Sequence, residues 1–84
     1  MDILTYRQLE NLIKIAVRMP TLSIKQVAKE TGLNLNSLYK WNSGQSGINP
    51  KRLDTILIWL MDCRPDVLEA AKTIFNNGGY RYER

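Results

Sequence analysis

Five lysine and arginine side chains fall within residues 23–52 of this 84-residue sequence, where they could neutralise the phosphates of a nucleic acid. The five are Lys25, Lys29, Lys40, Lys51 and Arg52. The same segment contains one acid, Glu30, so it carries a net charge of +4, equal to that of the whole chain. A solvated helix face is also rich in lysine. The charge therefore favours phosphate binding only if this segment also folds as a nucleic-acid-binding unit.

Other kinds of chemistry lack their usual residues. The chain has no histidine and one cysteine, Cys63, which excludes Ser/His and Cys/His nucleophilic sites, intrachain disulfides and cysteine-rich zinc sites. Its eight acidic residues are scattered over predicted helix faces and caps, which argues against a paired-carboxylate site. We therefore predict a protein that is not an enzyme and has no catalytic residue, metal, cofactor or small-molecule ligand.

The segment 23–44 has the spacing of a helix-turn-helix. A small side chain at Ala28 would let a second helix cross closely over the first, and Gly32 would supply the positive φ of a tight turn. Leu38 and Trp41 are three residues apart, so they share one helix face and can pack back onto the first helix. Four positions thus agree with a two-helix unit that inserts its second helix into the DNA major groove.

Caps and apolar periodicity predict an all-α fold of five helices. Thr5 is the expected N-cap of the first helix, and Ser23 with Gln26 has the spacing of a capping box at the second. Asn34 is expected to cap the third helix, and Asn49 followed by Pro50 to start the fourth. The predicted helices are residues 5–18, 23–32, 35–42, 50–61 and 65–75.

The fourth helix is apolar nearly all round, so it needs a second covering surface. We expect it to turn four residues towards the core, namely Leu53, Ile56, Leu57 and Leu60, and three away from it, namely Ile58, Trp59 and Met61. The fifth helix offers a cover of Val67, Leu68, Ala71, Ile74 and Phe75. Whatever it leaves uncovered is a candidate dimer surface. On the first helix, Glu10 and Lys14 are expected to form an i, i+4 pair away from the core.

This layout resembles the lambda-repressor-like family of phage, plasmid and bacterial regulators, also called the Cro/repressor or XRE type. The resemblance covers roughly residues 6–60 and includes Ala28-x-x-x-Gly32, Trp41-x-x-Gly44 and the helix headed by Pro50. It implies a compact five-helix bundle over residues 1–79, with a tail at 80–84, that binds operator DNA as a homodimer. No apolar run is long enough to span a bilayer and no signal peptide is evident, so we expect a cytoplasmic protein without a membrane partner.

By this resemblance the third helix, residues 35–42, is the recognition helix. The exposed start of this helix, with Leu35, Asn36 and, one turn later, Lys40, corresponds to the family's base-reading positions. Tyr39, which flanks them, and Ser37 complete the candidate base-reading set. Asn36 suits bidentate readout of adenine, and Lys40 suits guanine or a phosphate. Phosphate contacts are expected from Lys25, Asn34, Ser43, Gln45 and Lys51. Arg52 either joins these phosphate ligands or pairs with a nearby acid.

Three residues depart from the family pattern. Ile24 stands where the family commonly has a polar phosphate-binding residue, and Leu35 stands where it commonly has a polar base reader. Asn42 replaces a frequent glutamate that makes a structural bond. For the tail, the sequence does not choose among disorder, packing on the core through Tyr80 and Tyr82, and pairing between protomers.

Two functions follow from this pattern. The first is a sequence-specific DNA-binding transcriptional regulator, a small repressor or switch protein that occupies its operator. The alternative is a protein-interaction module, such as an antirepressor or accessory protein, built on a helix-turn-helix scaffold. In the alternative, Ile24, Leu35 and Trp59 are exposed and contact a protein partner.

Overall fold

The computed structural model describes residues 5–77, which form five α-helices and no strand within that range. The helices are α1 Tyr6–Val17, α2 Ile24–Thr31, α3 Leu35–Asn42, α4 Pro50–Cys63 and α5 Pro65–Asn76. The all-α prediction is confirmed, and the predicted helix boundaries agree with the observed ones to within two residues. The tail at 80–84 lies outside the described residues.

Short polar side chains begin four of the five helices. At α1, Thr5 Oγ1 accepts from the Gln8 backbone N–H at 3.1 Å, and Gln8 Oε1 accepts from the Thr5 N–H at 2.9 Å. Asn34 caps α3 by accepting from the Ser37 N–H at 2.9 Å. Asn49 caps α4 by accepting from the Lys51 N–H at 2.8 Å, and Pro50 follows it. Because these bonds are local, the caps place the helix starts independently of the tertiary fold.

The capping box predicted at the start of α2 is only half formed. Ser23 Oγ accepts from the Gln26 N–H at 3.1 Å as expected. The Gln26 side chain instead donates to Glu30, one turn further along, at 3.1 Å. A hydrogen bond to a carboxylate is stronger than one between neutral groups, and this explains the preference of Gln26 for Glu30. A complete capping box forms instead at α1, between Thr5 and Gln8, where only the Thr5 cap was predicted.

Gly32 ends α2 in the left-handed conformation, with φ +78°, and its N–H donates to the Ala28 carbonyl at 2.9 Å. We expect Gly32→Ala to lower the free energy of unfolding by about 1 to 2 kcal/mol, because this φ disfavours any Cβ. An added Cβ would meet no atom within 4 Å, so the cost is one of backbone conformation. Urea denaturation measures it.

Gly47→Ala is the matched control for that substitution. A Cβ added at Gly47 would also lie in open space, but the φ of Gly47 is not in the left-handed region. The stability of this variant should stay within about 0.5 kcal/mol of the parent protein. Equal losses in the two variants would contradict a conformational requirement at Gly32.

The core is a single cluster to which all five helices contribute. Every buried side chain among residues 5–77 is apolar, and the largest fully buried one is Trp41. Four residues that the sequence predicted to pack together are members of this cluster, namely Val27 and Ala28 of α2 and Leu38 and Trp41 of α3. Helix α5 packs mainly on α1 and also on α4. The α2–α3 pair is therefore held on a scaffold made by the other three helices.

The buried arc of α4 differs from the prediction. Trp59, expected on the outer side, is buried, whereas Leu57 is only partly buried. Helix α4 is contacted by α1 and α2 as well as by α5, so its buried arc is wide and displaced towards Trp59. On α5, Ile74 is exposed and does not serve as cover. Ile58 and Met61 remain 58% exposed.

Candidate nucleic-acid interface

The outer face of α3 carries three of the five predicted base-reading side chains. Asn36, Tyr39 and Lys40 are exposed. Asn36 and Lys40 are four residues apart, which makes them neighbours on one helix face, with Tyr39 beside them. Ser37 and Leu35 are partly buried. The face that could enter a groove is therefore polar, with an amide, a phenol and an ammonium group.

The two apolar residues that depart from the family pattern face inward. Ile24 and Leu35 are partly buried and pack against the core cluster, and Trp59 is a member of that cluster. The exposed apolar contacts expected for a protein-interaction module are therefore not present at these three residues. Packing explains why all three residues are apolar, since Ile24 and Leu35 contact the core cluster and Trp59 belongs to it.

Helix α3 is fixed from behind by Trp41, which is 1% exposed. Its indole Nε1–H donates to Glu10 Oε2 of α1 at 2.8 Å, and Lys14 Nζ lies 5.6 Å from the centroid of the indole ring. The predicted ion pair between Glu10 and Lys14 is wrong, since both side chains turn to Trp41 instead. A buried indole N–H needs a hydrogen-bond acceptor, and this requirement could have predicted a bond between Trp41 and an acidic residue.

A second bond joins α1 to the end of α3. Arg18 Nε donates to Asn42 Oδ1 at 2.8 Å, and Arg18 Nη2 donates to the Asn42 backbone carbonyl. A cation at the last carbonyls of a helix is favourable both as a cap and by interaction with the helix dipole. Asn42 therefore makes an interhelical bond although it replaces the glutamate that is frequent in the family.

Glu30 is held in a similar way by a tryptophan. Trp59 Nε1–H of α4 donates to Glu30 Oε1 at 3.1 Å, and Gln26 donates to the other carboxylate oxygen. Hydrogen bonds from Gln26 and Trp59 lower the pKa of Glu30, so the carboxylate is ionised at neutral pH. Glu30, the one acid of the basic segment, thus joins α2 to α4 and does not pair with a lysine.

The basic residues of segment 23–52 are exposed and unpaired within the part of the chain that the structure describes. These residues are Lys25, Lys29, Lys40, Lys51 and Arg52. Between residues 5 and 77 the ion pairs shorter than 4 Å are Arg64 with Asp66 at 3.4 Å and Lys72 with Glu69 at 3.3 Å. Both lie at α5, away from the basic segment in sequence. The positive charge of that segment is therefore available to an outside anion.

A shallow pocket of about 100 Å³ lies between the start of α3 and the loop that leads to α4. Four predicted site residues line it together, namely Asn34, Ser37, Lys40 and Arg52. The remaining lining comes from Leu33, Leu38, Ser46, Gly47 and Ile48. Candidates for base reading and for phosphate binding thus lie in one pocket. The loop between α3 and α4 brings them together.

The other predicted phosphate ligands lie outside this pocket. Lys25 and Lys51 are exposed in the first turns of α2 and α4. Ser43 Oγ donates to the Lys40 carbonyl at 3.2 Å, and Gln45 is exposed in the following loop. These four residues stay individual candidates, because no contact within residues 5–77 joins them into one site.

Tyr6 supports the site from outside the pocket, and the sequence did not indicate this role. Its hydroxyl donates to the Ile48 carbonyl at 2.6 Å and so ties the first turn of α1 to the wall of the pocket. Burial, and to a lesser extent the charge of Glu10, raises the pKa of Tyr6, so the hydroxyl keeps its proton and remains a donor at neutral pH.

Comparisons with known proteins identify no relative. No family model matches the chain, and neither a curated protein nor a solved structure does. Within residues 5–77 there is no group of three or more Cys, Asp or Glu side chains that could hold a metal ion. No helix in the same range is long and apolar enough to cross a membrane.

Proposed function

We propose that this protein is a sequence-specific DNA-binding regulator of the lambda-repressor-like type, with α3 as its recognition helix. The observation that carries the proposal is the exposed polar face of α3 in a segment whose five cations have no carboxylate partner among residues 5–77. Major-groove recognition needs both features. Polar side chains on a helix read base edges, and cations around that helix neutralise phosphates.

Base reading is assigned first to Asn36. Its amide can donate to N7 and accept from N6 of adenine in the bidentate pattern that asparagine favours. Tyr39 lies beside it and can contact a phosphate or a thymine methyl group. Leu35 is partly buried, so we expect it to support the start of α3 more than to read a base.

The rigidity of α3 supports this role. Trp41 and Asn42 are the last two residues of the helix, and they are bonded to Glu10 and to Arg18 respectively. Groups held in place before binding lose little conformational entropy on contact, which favours discrimination between similar sites. Repression would follow from occupancy, since a bound protein blocks polymerase or a competing regulator.

A homodimer is part of the proposal, because two copies would place two recognition helices one DNA turn, about 34 Å, apart. Ile58 and Met61 are three residues apart on α4 and each is 58% exposed. Helix α5 leaves these two side chains uncovered. They therefore form the candidate dimer surface that the sequence analysis expected on α4.

Selection of bound duplexes from a random DNA pool, followed by affinity measurements at several salt concentrations, tests the proposal. We expect an enriched palindromic motif and a log affinity that falls linearly with log salt, with a slope of about −0.9 per neutralised phosphate. Lys25→Gln with Lys51→Gln should reduce the steepness of that slope by about two.

Lys72→Gln is the matched control, because Lys72 is paired with Glu69 on α5 and lies outside the basic segment. This variant should keep the parental slope. Binding that ignores salt, or a pool that yields no motif, would overturn the proposed function.

A further inference from the structure

The outer side of α4 combines two exposed apolar side chains with two carboxylates. Ile58 and Met61 are each 58% exposed. Asp54 and Asp62 are also exposed, four residues before and four residues after Ile58. Residues spaced by three and four lie on the same side of a helix. These four side chains therefore form a single surface, the α4 face.

The charge of the α4 face is not neutralised within the part of the chain that the structure describes. Residues 53–77 contain four acids and two bases, for a net charge of −2. The two bases, Arg64 and Lys72, are both paired with acids of α5. In the same part of the chain, Asp54 and Asp62 have no ion-pair partner. Both carboxylates are therefore available to an outside cation.

A second copy of the chain fits this surface poorly. Any two-fold pairing of the α4 face with itself brings four carboxylates around one apolar contact, and like charges across an interface are costly. Lys51, which shares this side of α4, lies two turns before Ile58 and beyond Asp54, so it offsets the charge at one end only. DNA is also excluded, because its phosphates are repelled by the carboxylates.

A cationic amphipathic helix matches the α4 face in both charge and shape. Asp54 and Asp62 are eight residues apart, which is about 12 Å along the helix axis. Lysine or arginine side chains two turns apart on a second helix can reach both carboxylates. Apolar side chains between these cations then cover Ile58 and Met61. Methionine suits such a contact, because its flexible thioether adapts to the shape of its partner.

We propose that the α4 face is the docking surface for a different protein that presents a basic amphipathic helix. The inference goes beyond the proposed function, because the α4 face contains none of the residues proposed to contact DNA. It also assigns the candidate dimer surface to another partner, so the proposed homodimer has to use a different part of the chain.

Selection from a displayed library of helical peptides, each about 18 residues long and randomised along one side, tests this assignment. The parent protein is the target. Ile58→Ser with Met61→Ser is the counter-target, and it should stay folded because both side chains are exposed. We expect enriched helices that carry apolar residues between two lysines or arginines about two turns apart and bind the parent with about micromolar affinity.

The counter-target should bind the selected peptide at least about tenfold more weakly than the parent, because it lacks the apolar part of the contact. Ile74→Ser is the matched control, since Ile74 is an exposed apolar residue of α5. This variant should keep the parental affinity for the peptide.

Asp54→Asn with Asp62→Asn measures the electrostatic part of the contact. The selected peptide should bind this variant about fivefold more weakly at low salt, and the difference should vanish at about 1 M salt, where the charges are screened. Glu69→Gln removes an acid that is paired with Lys72, and it should keep the parental affinity.

Three results would overturn the proposal. One is a selection that enriches nothing, or only acidic or uncharged helices. Another is a set of enriched helices that bind the parent and the counter-target equally. The third is a dimer of the parent chain, detected by sedimentation equilibrium, that is absent in the counter-target, since the α4 face would then be occupied by a second copy. None of these results depends on whether the protein binds DNA.

Discussion

Replacing Trp41 with alanine is expected to lower the free energy of unfolding by about 3 to 5 kcal/mol. The indole is 1% exposed and is the largest fully buried side chain among residues 5–77, so its removal leaves a cavity between α3 and the scaffold. It also leaves Glu10 without the indole donor and Lys14 without the aromatic ring beneath it. Small domains are stable by only about 5 to 15 kcal/mol, so this loss removes a large fraction of the total stability and should lower the urea midpoint strongly.

Urea denaturation followed by far-ultraviolet circular dichroism measures this loss, because the helical signal does not depend on the tryptophan itself. Trp41→Phe separates packing from hydrogen bonding: most of the volume remains, but Glu10 loses its donor, and we expect a cost of about 1 to 2 kcal/mol. Tyr39→Ala is the neighbouring control, since Tyr39 is 43% exposed on the opposite face of α3. It should change stability by less than about 1 kcal/mol. If Trp41→Ala and Tyr39→Ala lost comparable stability, α3 would not have one buried and one exposed face.

The helices could be predicted from the sequence because their ends are determined locally. Asn34 and Asn49 bond within their own first turns, and Gly32 satisfies a backbone requirement that no other residue meets as cheaply. These interactions span two to four residues, so they can be recognised without knowledge of the fold. The same reasoning correctly placed Val27, Ala28, Leu38 and Trp41 in one core.

The partners of the charged residues could not be predicted in this way. Glu10 bonds a tryptophan 31 residues distant in sequence, and Glu30 bonds one 29 residues distant. Local i, i+4 rules gave the wrong partner for Glu10, because a surface ion pair is worth little compared with satisfying a buried indole N–H. The side of α4 that is buried likewise depends on its contacts with α1 and α2, which the periodicity of α4 alone does not contain.

The candidate site is an intermediate case. The charge of segment 23–52 and the exposure of Asn36 and Lys40 could be predicted from the sequence, but Leu35, expected at the same exposed start of α3, is partly buried. The meeting of Lys40 with Arg52 could not, because it depends on the course of the loop, where Gly44 adopts φ +85° and Tyr6 bonds a carbonyl 42 residues away. A pocket built from a turn and a long-range bond has no local signature.

Asn36→Ala is expected to weaken binding to the selected DNA by about 1 to 3 kcal/mol and to leave binding to random DNA nearly unchanged. The amide is the side chain of the exposed α3 face best suited to bidentate contact with one base, so its loss removes discrimination without removing a charge. Alanine favours helix and Asn36 is exposed, so the fold should be retained.

The measurement is a pair of titrations at one salt concentration, on the selected duplex and on a scrambled duplex of equal length, with the salt slope determined for each. Asn76→Ala, an exposed asparagine on α5, is the matched control and should alter neither affinity. Because Asn36 neutralises no phosphate, its removal should leave the slope as it was, while the replacement of Arg52 lowers its steepness by about one. Equal losses on both duplexes would place Asn36 on the DNA backbone and leave Tyr39 and Lys40 as the remaining candidates for base reading. The salt slopes of the Asn36 and Arg52 variants together distinguish a residue that recognises the base sequence from one that contacts only the DNA backbone.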